Sequence, residues 1–461
     1  MSVIKKVHLK GIPFNILPET LLLAINMSPI GGDERNGSNF RKKVVIIDEN
    51  VAELCDKILQ NLSNTIDKDD LLDEFDIIPC ESKLNQSPVI HDLTSHKVAL
   101  ESWCVPYLFK HSYHQFLWIC RKSRKTSSTS SSSSTIQSSN SGPRRDSGNI
   151  ASAKREKELS RKLSCLSESE RISKGLLLSR ALIIINPELT LAWNYRRDFF
   201  HPSSLEALEK EQRFVSLVMS RKPKCPEGFT YRKWLIKKAL QKSLVEPSRI
   251  QDFISQEIDM IEQPIRSYST NYHAWSYRFW LLELVLTYDK TVVSKDQKEI
   301  MLDRELQKSN TWIKSNVSDY SGCHYRQKLL DCMLNFCSDG IPLLLKELDE
   351  NEKRIFIFEG HESLWHHRRT VILLSINHLK KCKDNNGSNA PLSSEEYGGL
   401  EALEKTFQDK ESDLVQQIES KNYNDTENEC SQLNFKLCQA HVKWMERRLK
   451  WDLTKSVHLE V

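Results

Sequence analysis

Five copies of one short motif, each with an arginine three residues after an apolar residue, lie between residues 193 and 368. The apolar position holds tryptophan, phenylalanine or cysteine, and successive arginines stand 36 to 48 residues apart. The copies are Trp193–Arg196, Phe229–Arg232, Trp275–Arg278, Cys323–Arg326 and Trp365–Arg368. Self-similarity at such a period is typical of repeat proteins, in which every copy builds the same small structural unit.

A second apolar residue follows each motif at a fixed distance. It stands seven residues after the first apolar residue, as Phe200, Ile236, Leu282, Leu330 and Ile372. Positions i, i+3 and i+7 lie on adjoining turns of one helix face, so the pattern predicts that each motif sits on a helix. Trp444–Arg447, followed by Trp451, is a weaker sixth copy. Trp118–Arg121 is followed by Lys125 at this position and is not interpreted as a repeat.

Another helical pattern precedes each motif, and a turn rich in Pro, Gly or Asn separates the two. At the first of these turns, we expect Asn186 to be the N-cap and Pro187 the first residue of the motif helix. Each unit is then a helical hairpin. Since one hairpin cannot bury its aromatic residue alone, neighbours must stack. The sequence therefore predicts an all-α fold, a right-handed superhelical solenoid, or crescent, of helical hairpin repeats.

Composition divides the 461 residues into five segments. Residues 1–122 form a partly helical N-terminal segment, in which 73–80 and 97–121 have ordered patterns and the latter is predicted to be a helix. Residues 123–158 are rich in serine and cannot bury enough apolar surface to offset their ordering entropy, which predicts a disordered insertion. The repeats follow at 159–383, a loop at 384–398, and C-terminal helices with the weak final repeat at 399–461.

Charge and cysteine content narrow the possible classes of protein. The net charge is only +4, which gives no whole-chain argument for binding nucleic acid or membrane. The 12 cysteines contain no C-x-x-C pair, and we find no secretion signal or membrane-spanning run. We therefore expect reduced thiols and a cytoplasmic protein without a membrane span.

The repeated residues have structural roles in the simplest interpretation. Tryptophan rings would fill the seams between consecutive hairpins. The arginines would donate to helix carbonyls or to a helix carboxylate from partly buried positions, with direct anion binding as the alternative. His361, Glu362, His366 and His367 do not form a complete metal-ligand set, and we find no phosphate-binding glycine loop or nucleophile motif. We therefore expect no metal on this chain, which does not look like an enzyme by itself.

These motifs, including the fuller Asn271-Tyr272-x-x-Trp275-x-x-Arg278, resemble the protein prenyltransferase alpha-subunit repeat family. The resemblance covers about residues 171–374, and segments at 73–104 are similar to a divergent branch of that family. It implies a crescent of hairpins that wraps a beta subunit, here of the Rab geranylgeranyltransferase type. That partner would hold the catalytic zinc and the prenyl diphosphate. The implied reaction is transfer of the prenyl group to a protein substrate with a C-terminal cysteine.

The same resemblance implies roles for four residues near the reacting groups. Lys224, in a Pro-Lys turn five residues before Phe229, would lie near the departing diphosphate and act as the catalytic residue of this chain. Asn271, Tyr272 and His273 would line the substrate site, although Asn271 would equally well be an N-cap. Pro226 stands where the family has a tyrosine, so part of the substrate contact is missing.

Two classes of function therefore compete. The first is an alpha-type subunit of a heterodimeric protein prenyltransferase, which is a geranylgeranyltransferase only together with its partner. The second is a non-enzymatic all-α repeat scaffold for protein–protein interaction. An RNA-binding helical solenoid is disfavoured by the balanced charge.

Overall fold

The computed structural model describes residues 47–80, 87–127, 157–288, 293–336, 340–384, 399–424 and 428–451. The chain divides into two compact units, Met1–Val245 and Glu246–Val461. Most of the serine-rich segment predicted at 123–158, and the loop predicted at 384–398, lie outside the described residues. At the edges of the serine-rich segment, 123–127 and 157–158 are helical. None of the helices in the described ranges is both long and apolar enough to cross a membrane.

The first unit opens with a small helix-and-sheet region. Helix α1 (Glu49–Lys68) precedes strands β1 (Glu74–Ile78), β2 (Val89–Asp92) and β3 (Lys97–Glu101), and helix α2 (Val105–Ser127) follows a 3-10 turn at Ser102–Cys104. The central strand β3 pairs in parallel with β1 and antiparallel with β2. The predicted helix at 97–121 is therefore wrong in its first residues. Val98 and Leu100 alternate with less buried neighbours along β3, a period of two that belongs to a strand.

Two hairpins complete the first unit. They are formed by α3 (Glu168–Ile185) with α4 (Thr190–Phe199), and by α5 (Leu205–Arg221) with α6 (Pro226–Gln241). Ser167 and Glu170 form a capping box at the start of α3. The predicted N-cap role of Asn186 is wrong: this residue is the C-cap of α3, and its Oδ1 accepts a hydrogen bond from the backbone N–H of Glu188. Helix α4 begins only at Thr190 because residues 186–189 form a turn.

The second unit continues the same hairpin pattern with nine helices in its described part. In chain order these are α7 (Ile250–Met260), α8 (Glu262–Ser267), α9 (Tyr272–Thr287), α10 (Lys295–Ser315), α11 (Tyr320–Phe336), α12 (Ile341–Ile357), α13 (Glu362–Asp384), α14 (Leu400–Asn424) and α15 (Glu429–Leu449). A short 3-10 turn, Pro247–Arg249, precedes α7. Each of the five motifs lies on the second helix of its hairpin. The all-α class of helical hairpin repeats is thereby confirmed, with the N-terminal sheet as an addition to it.

Candidate functional site

The turn before α9 contains the three residues that were expected to contact substrate. Asn271 is the N-cap of α9: its Oδ1 accepts from the backbone N–H of Ala274 at 3.2 Å. Its Nδ2 donates to the carbonyl of Pro264, also at 3.2 Å. Asn271 is fully buried. Both polar atoms of the Asn271 side chain are therefore used in capping the helix and in holding the turn in place.

Tyr272 and His273 present their rings next to this cap. Tyr272 is 60% exposed, and His273 is half-buried. Their ring centroids lie 5.7 Å apart in an edge-to-face arrangement. Thr270, just before the cap, has a φ of +58°, a left-handed conformation that a β-branched residue adopts only where the surrounding structure enforces it. The turn thus holds a phenol and an imidazole in a fixed, accessible position.

Lys224 lies in the turn between α5 and α6 and is half-buried. The next residue, Cys225, is the N-cap of α6, and its Sγ accepts from the backbone N–H of Gly228 at 3.4 Å. Pro226 occupies the first helical position, where its missing N–H leaves no intrahelical bond unmade. Lys224 belongs to the first unit and the Asn271 turn to the second.

The tryptophans of the motif are buried, and each is hydrogen-bonded either to the turn before its own helix or to another hairpin. Trp193 Nε1 donates to the carbonyl of Pro187 at 2.8 Å. Trp275 Nε1 donates to Asp319 Oδ2 at 3.1 Å, and Trp365 Nε1 donates to Asn434 Oδ1 at 3.0 Å. These bonds satisfy the one polar atom of each ring, as burial requires.

The motif arginines are also buried, with exposed fractions of 0 to 6%. Each donates through Nη1 to the carbonyl of the residue 20 positions earlier, on the first helix of its own hairpin. The acceptors, in chain order, are Leu176, Gln212, Ile258, Leu306 and Leu348, at 2.6 to 3.3 Å. This contact ties the two helices of a hairpin together.

A glutamate on the following hairpin neutralises four of these arginines. Nε and Nη2 of Arg196 donate to the two carboxylate oxygens of Glu211 at 2.7 and 2.6 Å. The corresponding ion pairs are Arg278–Glu305, Arg326–Glu347 and Arg368–Glu411. All these carboxylates are buried. The planar guanidinium suits this bidentate contact, which joins one hairpin to the next.

The residue just before the arginine of the next motif completes a triad. Tyr231 Oη donates to Glu211 Oε1 at 2.9 Å, and Tyr277 Oη donates to Glu257 Oε1 at 2.6 Å. Tyr325 bonds to Glu305 in the same way, and His367 Nε2 lies 2.8 Å from Glu347 Oε1. In all four pairs the glutamate precedes its tyrosine or histidine by 20 residues. The sequence interpretation missed these glutamates, although this constant spacing would have revealed them.

Burial and charge act in opposite directions on the groups of a triad. Burial alone would raise the pKa of Glu211, but the positive charge of Arg196 outweighs it and lowers that pKa. Burial alone would lower the pKa of Arg196, but the negative charge of Glu211 outweighs it and raises that pKa. Burial and the adjacent carboxylate together raise the pKa of Tyr231 well above its usual value. The triad therefore contains an ionised pair and a neutral phenol at neutral pH.

At the first seam, where the first hairpin packs on α2, an apolar contact takes the place of the triad. Gly175 stands 20 residues before Tyr195, where the other hairpins have glutamate, and a Cβ added there would lie 2.1 Å from Tyr195 Oη. The Tyr195 ring instead packs edge-to-face on Phe116 of α2, with centroids 5.1 Å apart. Its buried hydroxyl has no hydrogen-bond partner among the described residues. Glycine is thus required because the ring occupies the space of a side chain.

The last seam does not use the sixth copy of the motif. His441 of α15 takes the tyrosine position, with Nε2 2.8 Å from Glu411 Oε2. Trp444 is only half-buried and Arg447 is exposed, so the predicted sixth copy does not share the geometry of the other five. Trp118 is half-buried and Arg121 is exposed as well, in agreement with their exclusion from the repeats.

The fourth motif has a cysteine in the apolar position and a second buried arginine, Arg354, near its glutamate. Cys323 is buried, and burial raises the pKa of its thiol to about 12. Arg354 of α12 is also buried; its Nη1 lies 3.7 Å from Glu347, and its Nη2 donates to Asn310 Oδ1. Its Nε and Nη1 make no hydrogen bond within the described residues. Arg354 Nη2 also lies 3.9 Å from Glu350 Oε2, so two glutamates face its charge at this seam.

The histidines near α13 serve separate contacts. His367 belongs to the buried triad, whereas exposed His366 lies 3.3 Å from Glu362 Oε1. His361 Nδ1 lies 2.9 Å from Ser318 Oγ. Over the described ranges, no group of three or more His, Cys, Asp or Glu residues could hold a metal ion.

Comparison with known families gives a match for two hairpins. The profile described as "Protein prenyltransferase alpha subunit repeat" matches residues 254–285 and 302–333. These windows contain Glu257 with Arg278 and Glu305 with Arg326, which are the glutamate and the arginine of the third and fourth hairpins. The matched unit is therefore the hairpin described above.

Individual proteins with the same repeat, or with a related function in their names, are also similar to this chain. The "Protein prenyltransferase alpha subunit repeat-containing protein 1-A" of Xenopus laevis is 25% identical over 373 residues, covering 71% of this chain and 73% of that protein. The Homo sapiens "Protein prenyltransferase alpha subunit repeat-containing protein 1" is also 25% identical, over 71% and 79%. The "Geranylgeranyl transferase type-2 subunit alpha" of Candida albicans is 27% identical over 38% of this chain and 47% of that protein. The chain is therefore similar to proteins that contain prenyltransferase alpha-subunit repeats, and the profile identifies two such repeats, at residues 254–285 and 302–333.

Proposed function

We propose that this chain is the alpha-type subunit of a heterodimeric protein prenyltransferase that transfers a geranylgeranyl group to a protein cysteine. The observation that carries the proposal is the similarity of its hairpins to geranylgeranyl transferase type-2 alpha subunits. In the proposal, a Rab geranylgeranyltransferase-type beta subunit is the partner and holds both the zinc and the prenyl diphosphate. The heterodimer acts in the cytoplasm on a protein with a C-terminal cysteine.

The proposed reaction is a displacement at carbon. The cysteine thiolate of the acceptor protein attacks C1 of the prenyl chain, a carbon–sulfur bond forms, and the bond from C1 to the diphosphate oxygen breaks. Negative charge then develops on the departing diphosphate. An ammonium group positioned near it stabilises this charge more in the transition state than in the ground state, which lowers the barrier. We assign this task to Lys224.

The turn before α9 supplies the protein side of the substrate site in this proposal. Asn271 fixes the turn as the helix cap, while Tyr272 and His273 present an exposed phenol and a half-buried imidazole. A phenol and an imidazole can each combine an apolar contact with one hydrogen bond to a peptide. Tyr272 and His273 are therefore the residues that contact substrate, and Asn271 positions them.

Co-expression with a Rab-type beta subunit tests the proposal directly. We expect a stable one-to-one complex that transfers a labelled geranylgeranyl group to proteins ending in cysteine. A complex that is inactive with every prenyl diphosphate, or the absence of a complex, would refute the transferase function. The second candidate, a non-enzymatic scaffold, would then be favoured. It is kept because the Xenopus laevis and Homo sapiens relatives are named for the prenyltransferase alpha-subunit repeats that they contain and not for a transferase activity.

Lys224→Ala provides the sharper test of mechanism. We expect this variant to assemble normally and to reduce the rate of transfer about 100- to 1,000-fold, since the loss of one preorganised electrostatic contact in a transition state costs on that order. Lys222→Ala is the matched control, because Lys222 lies in the same turn and pairs with Glu188. Equal rates for the two variants in a single-turnover assay would contradict the role of Lys224.

A further inference from the structure

The failed sixth motif copy lies beside a cavity that the repeat architecture does not use. A concave space of about 400 Å³ opens on the outer face of α15 and is lined by Ala440, Lys443, Trp444, Arg447 and Arg448. The three cationic residues are exposed, and Trp444 is half-buried. We call this feature the α15 cationic cavity.

Within the described residues, no acidic side chain pairs with the positive charges of the cavity. Lys443, Arg447 and Arg448 make no ion pair and no side-chain hydrogen bond with any residue in the described part of the protein. Arg447 and Arg448 lie in the last turn of α15, where cations interact favourably with the helix dipole. Lys443 lies one turn earlier, so the dipole does not explain the whole cluster. Three like charges on adjoining turns repel one another, which favours a bound anion.

The indole of Trp444 is held in a fixed orientation in the wall of this cavity. Its ring stacks on His441, with centroids 5.8 Å apart and an interplanar angle of 13°. The guanidinium of Arg369, from α13, lies 5.8 Å from the centre of the same ring. Arg369 Nε also points at His441 Nδ1 at 3.4 Å. Arg369 is thus a fourth cation beside the cavity. The two residues that contact the indole, His441 and Arg369, both lie at the last seam.

We propose that the α15 cationic cavity binds a small ligand that carries two or more adjacent phosphate groups. Lysine and arginine donate charge-assisted hydrogen bonds to phosphate oxygens, and two neighbouring arginines can bind adjacent phosphates. The three cations lie within about two turns of one helix, which favours a compact ligand over a nucleic acid duplex, whose binding needs cations distributed along an extended surface. Such adjacent phosphates occur in soluble polyphosphates and in phosphorylated lipid headgroups.

A direct binding assay tests this proposal on the full chain without any partner subunit. Sodium tripolyphosphate is titrated into the wild-type protein at near-physiological salt, with heat and tryptophan fluorescence as readouts. We expect saturable one-to-one binding, together with a change in fluorescence that Trp444→Phe removes. The triple variant Lys443→Gln, Arg447→Gln, Arg448→Gln should bind at least about tenfold more weakly, equivalent to about 1.4 kcal/mol.

A second triple variant controls for total charge. Lys346, Lys380 and Lys405 are exposed cations of the same unit, and changing all three to Gln removes the same net charge away from the cavity. This control should bind tripolyphosphate like the wild type. Equal affinities for the two triple variants, or no binding by the wild type to either tripolyphosphate or lipid, would overturn the proposal.

A vesicle arm identifies the source of the phosphates. Vesicles of phosphatidylcholine with and without phosphatidylinositol bisphosphate are sedimented with the wild type and with both triple variants. Binding only to the phosphorylated vesicles, lost in the cavity variant alone, assigns the site to a lipid headgroup. Binding to tripolyphosphate without vesicle binding assigns it to a soluble ligand. Because neither arm uses a beta subunit or a prenyl diphosphate, its outcome is independent of the proposed transferase function.

Discussion

The triad of Arg196, Glu211 and Tyr231 allows a quantitative test of how one hairpin is joined to the next. Changing Glu211 to Leu keeps a similar volume but leaves the buried guanidinium of Arg196 without its counter-charge and Tyr231 without its acceptor. Removal of one partner from a buried ion pair costs about 3–5 kcal/mol. For a unit of this size that loss corresponds to a decrease in Tm of about 6–20 °C.

The double variant Arg196→Met, Glu211→Leu removes both charges together and should be far less damaging than the sum of its single variants. A buried ion pair replaced by apolar residues of similar volume is often neutral in stability. Urea denaturation of the wild type, both single variants and the double variant forms a complete thermodynamic cycle. We expect a coupling energy of at least about 2 kcal/mol. Additive single effects, or a loss below about 1 kcal/mol for Glu211→Leu, would show that the triad does not hold the seam.

Three further predictions concern the unusual seams. Tyr195→Phe should raise the free energy of unfolding by about 1 kcal/mol, because it removes a buried hydroxyl without a partner, whereas Tyr231→Phe should lower it by a similar amount in the same denaturation assay. Arg354→Met should leave stability unchanged or raise it, since it removes a buried charge with two unbonded nitrogens; a loss above about 1 kcal/mol would contradict this. Acidification should destabilise the protein in two steps. Burial lowers the pKa of His441 below 6.5, so the unfolded state gains a proton on this residue at a higher pH than the folded state does. Below pH 4.5 the unfolded state also protonates Glu411. In the folded state the pKa of Glu411 is about 2, because Arg368 and His441 outweigh the effect of burial. In urea denaturation across pH, His441→Gln should remove the first step, which has a slope of up to about 1.4 kcal/mol per pH unit.

The sequence predicted the hairpins but not the groups that join them, and the reason is geometric. Arg and Trp recur at a fixed spacing because they share one helix face, which makes the motif visible in a single chain. The glutamate that neutralises an arginine lies on the next hairpin, so its separation from that arginine follows the length of the intervening turn and helix. That separation is 15 residues for Arg196 and 43 residues for Arg368. The distance from glutamate to its tyrosine or histidine, inside one hairpin, is 20 residues in four hairpins and 30 residues for Glu411 and His441 in the last one.

Other parts of the structure depend on contacts that no local pattern specifies. Strand β3 at Lys97–Glu101 continues within five residues into α2 at Val105–Ser127, so an apolar pattern over the whole stretch suits either element. The sheet forms because β3 finds two partner strands, one of them 23 residues earlier in the chain. Trp444 and Arg447 reproduce the local motif but lie on the outside of α15, since His441 already occupies the last seam.

The hydrogen bonds at the seams show which residues have a structural role and which remain able to bind a ligand. All three guanidinium nitrogens of Arg196 donate within the protein, and the same is true of Arg326. These arginines therefore have no accessible donor for a substrate anion, which excludes the anion-binding alternative for them. Groups that can meet a ligand lie instead at the turns, as Tyr272 does, or on the outer face of α15. Substitutions at these exposed positions should consequently change binding or turnover at constant stability, whereas substitutions in a triad should change stability first.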